Sequence, residues 1–386
     1  DPANGEAANN LGTLIEDRGR AKEALELYEL AAKVRPNLGD AWFNLGSAYE
    51  KAGDLLKAKQ ALERCTVLRP GSSKTLSALI GVRRKLCDWE GLDVQVETLT
   101  RLVHAPDFGS KIEDTPAPFG LLSLMIGAED QLRAAEVHSK AIEQKAAGWR
   151  PSVGVFQPRH RPLDGRRIRI GYLSPDFREH PIAQLMAGVI EAHDRARFEI
   201  SAWSLGPDDA SRFRKRIEEG ADRFEDMRDK DIAASTRMMR DAELDIVVDL
   251  AGYTAHARPE ILALKVAPIQ VNYLGYPGSM GASFIDCILV DPVLAGDGDE
   301  RFYSERVIRL PDCYQANDDK ALIDPEPVAR ADFGLPDDAF VFCSFSMNYK
   351  IDATVLDAWT DILKKTPDSV LWLFRTDAVA ADNLHR

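Results

Sequence analysis

Along roughly the first hundred positions, apolar residues fall three and four apart, the spacing that lines one face of a helix. The pattern also returns on itself after 34 residues: Leu11 and Gly12 reappear as Leu45 and Gly46, Gly19 as Gly53, Ala24 as Ala58, Tyr28 as Leu62, and Arg35-Pro36 as Arg69-Pro70. Paired amphipathic helices at that period, with small residues inside them, are the signature of tetratricopeptide repeats. The Gly and Ala positions let two helices approach closely, and the Pro ends the second helix because it lacks a donor and clashes with the preceding turn. Residues 4–37 and 38–71 are therefore expected to be two helix-turn-helix units. Residues 72–104 continue the stack in weaker form, since SALIGVRRKL and LDVQVETLTRLV keep helical spacing but lose the glycines and the proline. A transitional stretch with Pro106, Pro116, Pro118, Pro151 and Pro158 surrounds one long helical run over 121–146.

After Arg166 the rhythm changes to short apolar runs rich in β-branched residues: IRIGYLS, FEISAWSLG, LDIVVDLAG, IQVNYLG, DCILVD and RVIRLP. They alternate with polar helical stretches such as HPIAQLMAGVIEAHD, DASRFRKRIEEGA and KDIAASTRMMRDA. That order predicts a parallel sheet covered on both faces, a Rossmann-like layer structure. A second unit of the kind opens after Pro325, with AFVFCSFS as strand, ATVLDAWTDILKKTP as helix and SVLWLFR as the next strand. The domain expectation is a repeat region over 1–105, a helical linker over 106–160, a first Rossmann-like domain over 161–325, and the beginning of a second over 326–386. A start without Met, already in a helical pattern, and a stop after two strands of a doubly wound unit suggest a piece of a longer chain.

Composition narrows the class only modestly. A chain of 386 residues is long for one core, and its 45% hydrophobic and 29% charged content is that of an ordinary globular protein, with no run near the roughly 18 apolar residues a membrane helix needs. Five cysteines lie scattered and never as C-x-x-C, which points away from a disulfide framework or a zinc site and toward a reducing cytoplasm. A formal net charge of −13 opposes nonspecific attraction to nucleic acid or anionic membrane. No G-x-G-x-x-G opens a helix after a strand, which removes the dinucleotide-oxidoreductase reading.

Several segments carry candidate chemistry. SPDFREHP follows a predicted strand, so Asp176 and His180 fall on the loop at its carboxyl end, where open α/β sheets bind ligands. An imidazole near a carboxylate can manage a hydroxyl proton near neutral pH, while a His there can equally cap the next helix. In LGYPGSMGA, Gly275, Gly278 and Gly281 permit turns and close approach of backbone amides to a ligand, and Pro277 fixes one turn. The loop GYTAHAR offers Tyr253, Thr254, His256 and Arg258, the last able to pair with a phosphate or an acidic residue alike. The remaining histidines, His104, His138, His160, His193 and His385, read as surface or packing residues, and no pair has metal-ligand spacing.

The chain resembles the O-linked N-acetylglucosamine transferase and SPINDLY-like family, whose members join repeats to a two-Rossmann (GT-B) glycosyltransferase. The resemblance rests on CDW at Cys87–Trp89, RIRIGYLSPDFREHP at 167–181, DLAGYTAHARPEILALKVAPIQVNYLGYPGSMGA at 249–282, LPDCY at 310–314 and YKID at 349–352. It implies inverting, metal-independent transfer of a sugar to Ser or Thr of a protein, with no cofactor besides a nucleotide-sugar donor. UDP-N-acetylglucosamine is the first expectation and SPINDLY-like use of GDP-fucose the alternative; a non-catalytic repeat scaffold is the reading from another class. The resemblance further implies that His180 and Asp176 lie in the active site, that Leu274, Gly275 and Pro277 line the donor sugar, that Tyr349 also belongs to the donor site, and that Lys350 meets the donor diphosphate. Asn10 and Asn44, equivalent in the two repeats, match an asparagine ladder that holds acceptor proteins, although an ordinary surface Asn fits the pattern too. One departure stands out. Where the family usually has an amide three residues before the lysine, this chain has Met347, with Asn348 next to it. Without more of the second Rossmann unit, residues 1–386 alone are expected to bind donor weakly or not at all.

Overall fold

The structure, a computed structural model, describes residues 4–158, 162, 164–323 and 325–385. It shows a helical repeat region followed by a parallel-sheet α/β domain, with a further pair of parallel strands near the C-terminus. The chain divides into two compact units. One holds the residues up to Pro116, Gly120–Ile126 and those beyond Ile323; the other holds Ala117–Phe119 and Gly127–Ile323.

In the first unit, α1 (Gly5–Glu16) pairs with α2 (Ala21–Val34), α3 (Gly39–Lys51) with α4 (Leu55–Leu68), and α5 (Ser73–Lys85) with α6 (Leu92–His104). The 34-residue equivalences acquire a physical cause here. A Cβ on Gly12 would lie 2.6 Å from the Tyr28 ring, and one on Gly46 would lie 2.7 Å from Leu62 Cγ, so each glycine makes room for the large residue of its partner helix. Tyr28 and Leu62 are consequently buried with Ala24 and Ala58, each such large side chain contributing roughly 2 kcal/mol. Helices α2 and α4 stop at Val34 and Leu68, two residues before Pro36 and Pro70. Asn4, Asp54 and Ser72 begin α1, α4 and α5 by accepting from the amides of Ala7, Lys57 and Thr75.

The long helical run expected over 121–146 is broken. A short α7 (Pro118–Leu121) and a turn precede α8 (Ala128–Ala147), because Gly127 takes an extended conformation (ψ 155°) as the residue before α8. A single turn, α9 (Arg150–Val153), follows.

The second unit is built on seven parallel strands: β1 (Ile168–Ser174), β2 (Phe198–Ser204), β3 (Arg223–Asp226), β4 (Ile246–Asp249), β5 (Ile269–Tyr273), β6 (Cys287–Val290) and β7 (Arg306–Arg309). They are ordered β3-β2-β1-β4-β5-β6-β7. Helices α10 (Pro181–Ala192), α11 (Arg212–Gly220), α12 (Ile232–Asp241) and α13 (Pro259–Ala263) connect them. Met186, Ala187 and Ile190 of α10 and Ile217 of α11 are fully buried against Ile200, Ala202, Val248 and Val271 of the sheet. Strand β3, at the sheet edge, was not apparent in the sequence: RFED has no apolar run, and its residues are partly or fully exposed.

The C-terminal segment contributes β8 (Phe340–Ser344), α14 (Ala353–Lys365), β9 (Ser369–Leu373) and α15 (Ala378–His385), with β8 and β9 paired in parallel. Within the first unit this segment leans on α4 and α5. Val379 packs on Ala58, Leu62, Leu79, Val82 and Leu86, and Asn383 Nδ2 donates to the Leu86 carbonyl at 2.9 Å. Among the described residues, no helix is long and apolar enough to cross a membrane.

Candidate functional site

Because the seven strands are parallel, their following loops all leave from one edge. The order places the switch point between β1 and β4, whose chains turn to opposite sides of the sheet, and ligands of open α/β sheets sit outside such an edge. The pairing Leu173↔Asp249↔Asn272 aligns the carboxyl ends of β1, β4 and β5. The loops 175–180, 250–258 and 274–282 therefore start side by side.

On the first loop the structure brings Asp176 and His180 together, with Nδ1 of the imidazole 3.7 Å from Oδ2 of the carboxylate. Asp176 is buried, its amide donates to Ser174 Oγ at 2.9 Å, and Arg178 pairs with its Oδ1 at 3.2 Å. His180 is also the N-cap of α10, its Nδ1 accepting from the Ile182 amide at 3.2 Å, with Pro181 in the first turn. The cap is thus formed by the same ring that faces the Asp176 carboxylate. An Nδ1 that accepts from an amide carries no proton, so the neutral ring presents Nε2–H as a donor. Burial lowers the imidazole pKa, the charge of Asp176 opposes the shift and Arg178 adds to it, so the balance favours the neutral ring.

Two residues that sequence reasoning missed brace this loop. Arg214, buried on α11, donates through Nη1 to the Phe177 carbonyl (3.4 Å) and Ser204 Oγ (3.2 Å), and pairs with Asp226. Asp209 accepts from the Glu179 amide at 2.6 Å. A basic residue in the polar DASRFRKRIEEGA run gave no signal that it would turn inward.

On the second loop, Asp249 ends β4 and turns its buried carboxylate onto the amides of Ala251 (3.0 Å) and Gly252 (3.1 Å). Burial raises its pKa to about 6, against the lowering effect of those amides. An Asp closing an apolar strand, as in LDIVVD, was the available sequence signal. Tyr253 is buried, its hydroxyl donating to the Met280 carbonyl at 2.6 Å, with the His138 ring edge-on to it at 4.8 Å. Arg258, which the sequence left between a phosphate and an acidic partner, instead donates to the carbonyls of Met227, Arg228 and Lys230. Thr254 is half-buried, while His256 is exposed, at a left-handed φ of 63°.

The third loop is the most constrained. Leu274 takes a left-handed φ of 73°, uncommon for a side chain of its size. A Cβ on Gly275 would lie 2.0 Å from the Leu250 carbonyl oxygen, so only glycine fits beside the preceding strand's loop. Gly281, at φ 57°, abuts the α8 backbone, where a Cβ would meet the Glu136 nitrogen at 2.4 Å. Glu305, buried and invisible as a motif, accepts from Ser279 Oγ (2.7 Å) and the Met280 amide (2.6 Å); burial raises its pKa, partly offset by those bonds. Asn272 donates to the carbonyls of Tyr276 and Gly278, while Pro277 stays half-exposed.

The other candidates belong to the first unit. Lys350 is exposed in the turn Asn348–Lys350 after β8, its Nζ 6.0 Å from the Tyr349 ring centre. The neighbouring Asn348 is buried, and its Nδ2 donates to Thr376 Oγ1 at 2.5 Å, tying the loop after β8 to the loop after β9. Its amide is thus internal, and Met347 is the exposed residue. Asn44 donates to Asn9 Oδ1 at 2.9 Å, and Asn9 in turn donates to the exposed Asn10 at 3.5 Å. Asn9, which the repeat equivalence passed over, is the link between them.

Of the remaining histidines, His193 bonds the Tyr172 hydroxyl and the Val189 carbonyl, and His138 packs on Tyr253. His160 lies outside the described residues. Among the described residues, no group of three His, Cys, Asp or Glu side chains is placed to hold a metal.

Comparison with known proteins agrees with this architecture. The model of glycosyl transferase family 41 matches residues 86–326 and 325–386, and a tetratricopeptide-repeat model matches 39–71. The chain is 38% identical over 218 residues to the probable UDP-N-acetylglucosamine–peptide N-acetylglucosaminyltransferase SEC of Arabidopsis thaliana, covering 55% of this chain and 22% of that one. It is 25% identical over 406 residues to the UDP-N-acetylglucosamine–peptide N-acetylglucosaminyltransferase of Caenorhabditis elegans, covering 75% and 35%. The chain therefore spans well under half the length of these curated relatives. Among solved structures, a mutant of the Thermobaculum terrenum O-GlcNAc transferase shares the fold at a TM-score of 0.68 and 23% identity, over 99% of this chain and 71% of that one. With the family match running through both sheets, the chain belongs to glycosyl transferase family 41.

Proposed function

We propose that the protein transfers a sugar from a nucleotide diphosphate to a Ser or Thr hydroxyl of a protein, with inversion, and that UDP-N-acetylglucosamine is the donor. The observation that carries the reading is the Asp176–His180 pair at the switch point of a family 41 sheet. In this reaction the acceptor oxygen attacks the anomeric carbon, the bond to the β-phosphate oxygen breaks, and the nucleoside diphosphate leaves with the electron pair. The hydroxyl proton passes to the Asp176–His180 pair. With Nδ1 committed to α10, His180 acts by donating Nε2–H to an oxygen, while the carboxylate of Asp176 supplies the negative charge that draws the proton. Lys350 meets the diphosphate, where a fixed ammonium offsets developing charge with no step that calls for a metal, a contribution of about 3 kcal/mol. Leu274, Gly275 and Pro277 present backbone to the donor sugar. The repeats, through Asn10 and Asn44, hold acceptor proteins. We place the protein in the cytoplasm, on its scattered cysteines.

The test gives UDP-N-acetylglucosamine and GDP-fucose separately, with a lysate, to the natural chain that carries these residues, and follows mass added to Ser or Thr peptides. Transfer from the first donor is expected. Transfer from GDP-fucose alone would move the protein to SPINDLY-like chemistry, to which LPDCY at 310–314 also corresponds. Transfer from neither, with the fold intact, would favour a non-catalytic scaffold. His180→Ala and Lys350→Ala should each abolish transfer, and a fully active double variant would refute the site.

A further inference from the structure

The lysine just assigned to the diphosphate stands on a turn with little of its own support. Lys350 is exposed, β8 and β9 are only half-buried, and the turn's internal backbone bonds are Lys350 N to Met347 O and Ile351 N to Asn348 O, both 2.9 Å. Besides the bond from Asn348 to Thr376, the turn is held by a residue 265 positions away. Arg84, in the last turn of α5, is 6% exposed, and its Nε–H donates to the Tyr349 carbonyl at 3.0 Å.

The chemistry of that contact is unusual for an arginine. Burial lowers the guanidinium pKa, with the charge of Asp352 opposing the shift, yet Arg84 makes no ion pair among the described residues and its hydrogen bond goes to a backbone carbonyl. The neighbouring basic residues behave differently. Arg83 forks onto Asp88 and Lys85 pairs with Glu50, so each has a carboxylate. A buried cation that spends its directed bond on a main-chain oxygen fixes that oxygen's position by a charge-assisted bond.

The same helix end supplies the second hold. Leu86 is the C-terminal cap residue of α5, so its carbonyl has no helical partner, and it accepts from Asn383 of α15. The end of α5 thus grips the C-terminal segment at Tyr349 and at Asn383, with Val379 packed between helices α4 and α5.

We propose that Arg84 is a positioning residue for Lys350, holding the 348–350 turn from the third repeat and so coupling the repeat stack to the donor side of the reaction. The proposal deepens the assignment of Lys350 and rests on it for its catalytic meaning, though not for the mechanical linkage. Arg84→Met keeps the length and removes the donors; Arg84→Lys keeps the charge and one flexible donor.

The mechanical arm follows amide hydrogen exchange of 347–351 in the whole chain. Arg84→Met should speed exchange there about tenfold, the loss of about 1.4 kcal/mol, with α1–α4 and β1–β7 unchanged. Unchanged exchange at 347–351 overturns the proposal. If Arg84→Met does not fold, Arg84→Lys is read instead, with a smaller rise expected and no rise overturning it. The kinetic arm expects Arg84→Met to raise the KM for donor about tenfold, to leave the KM for acceptor alone, and to be partly rescued by Arg84→Lys. Equal changes in both KM values would mark Arg84 as merely structural and overturn the coupling. An active Lys350→Ala variant would instead sink the diphosphate assignment while leaving the exchange result standing.

Discussion

The two parallel sheets of this chain are built on opposite plans. Three loops at the strand ends of the seven-stranded sheet are braced from within the same unit. Asp249 holds two amides of its own loop, Glu305 pins Ser279 and Met280, and Arg214 supports Phe177. The pair β8–β9 has no fully buried residue in either strand; its loops share the Asn348–Thr376 bond, and its segment rests on α4 and α5. One set of loops is fixed by several buried polar groups of its own; the other has Asn348 and borrows further rigidity from neighbouring helices. Disturbance should therefore stay local in the first case and travel in the second.

The sharpest way to break this contrast is Gly275→Ala. Its Cβ would stand 2.0 Å from the Leu250 carbonyl, and no side chain is present to give way. A loss of at least about 3 kcal/mol is expected in denaturant unfolding of the second unit. A loss under 1 kcal/mol would mean that the strand ends are looser than described.

Next in size is the pH response of Asp249. Its carboxyl ionises near 3.8 ordinarily and near 6 when folded, so between those values the folded form binds more protons than the unfolded. Stability should thus fall as pH rises through that window, by about 3 kcal/mol, and Asp249→Asn should remove the fall. Unfolding curves taken at pH 4 and pH 6.5 would check it; the same slope in both proteins would locate the effect elsewhere.

Smaller effects belong to the first unit. Asn348→Ala frees Thr376 and should cost about 1 kcal/mol, yet raise hydrogen exchange along both loops after β8 and β9. Exchange confined to one loop would contradict the tie. Asn44→Ala removes the bond to Asn9 and should cost only about 0.5 kcal/mol by thermal unfolding, while lowering capture of acceptor peptides by the repeats. A large stability loss with unchanged capture would return these residues to plain structure.

Much of the fold was legible because it rests on repetition and periodicity. The Gly12–Tyr28 and Gly46–Leu62 fits sit one repeat apart, and six of the seven strands of the large sheet are apolar runs. What escaped notice was polar and inward. Strand β3 carries charges because it is an edge, and α8 starts late because Gly127 adopts an extended conformation. At the site, Asp176 and His180 were readable because they share one loop, four residues apart. Glu305, Arg214 and Arg84 were not, since each acts on a segment 25 or more residues away and sits among ordinary charged neighbours. Arg258 shows the same limit from the other side: its partners are carbonyls, which every residue owns and no motif records.

The bracing of residues 274–282 by Glu305 and by the backbone of α8 bears on protein engineering. The glycine-rich stretch is not a portable cassette. Moved alone into another sheet it would lose the acid that seats Met280 and the helix that flanks Gly281, so a successful graft has to bring all three, and a chimera joined between them should misfold at that corner first.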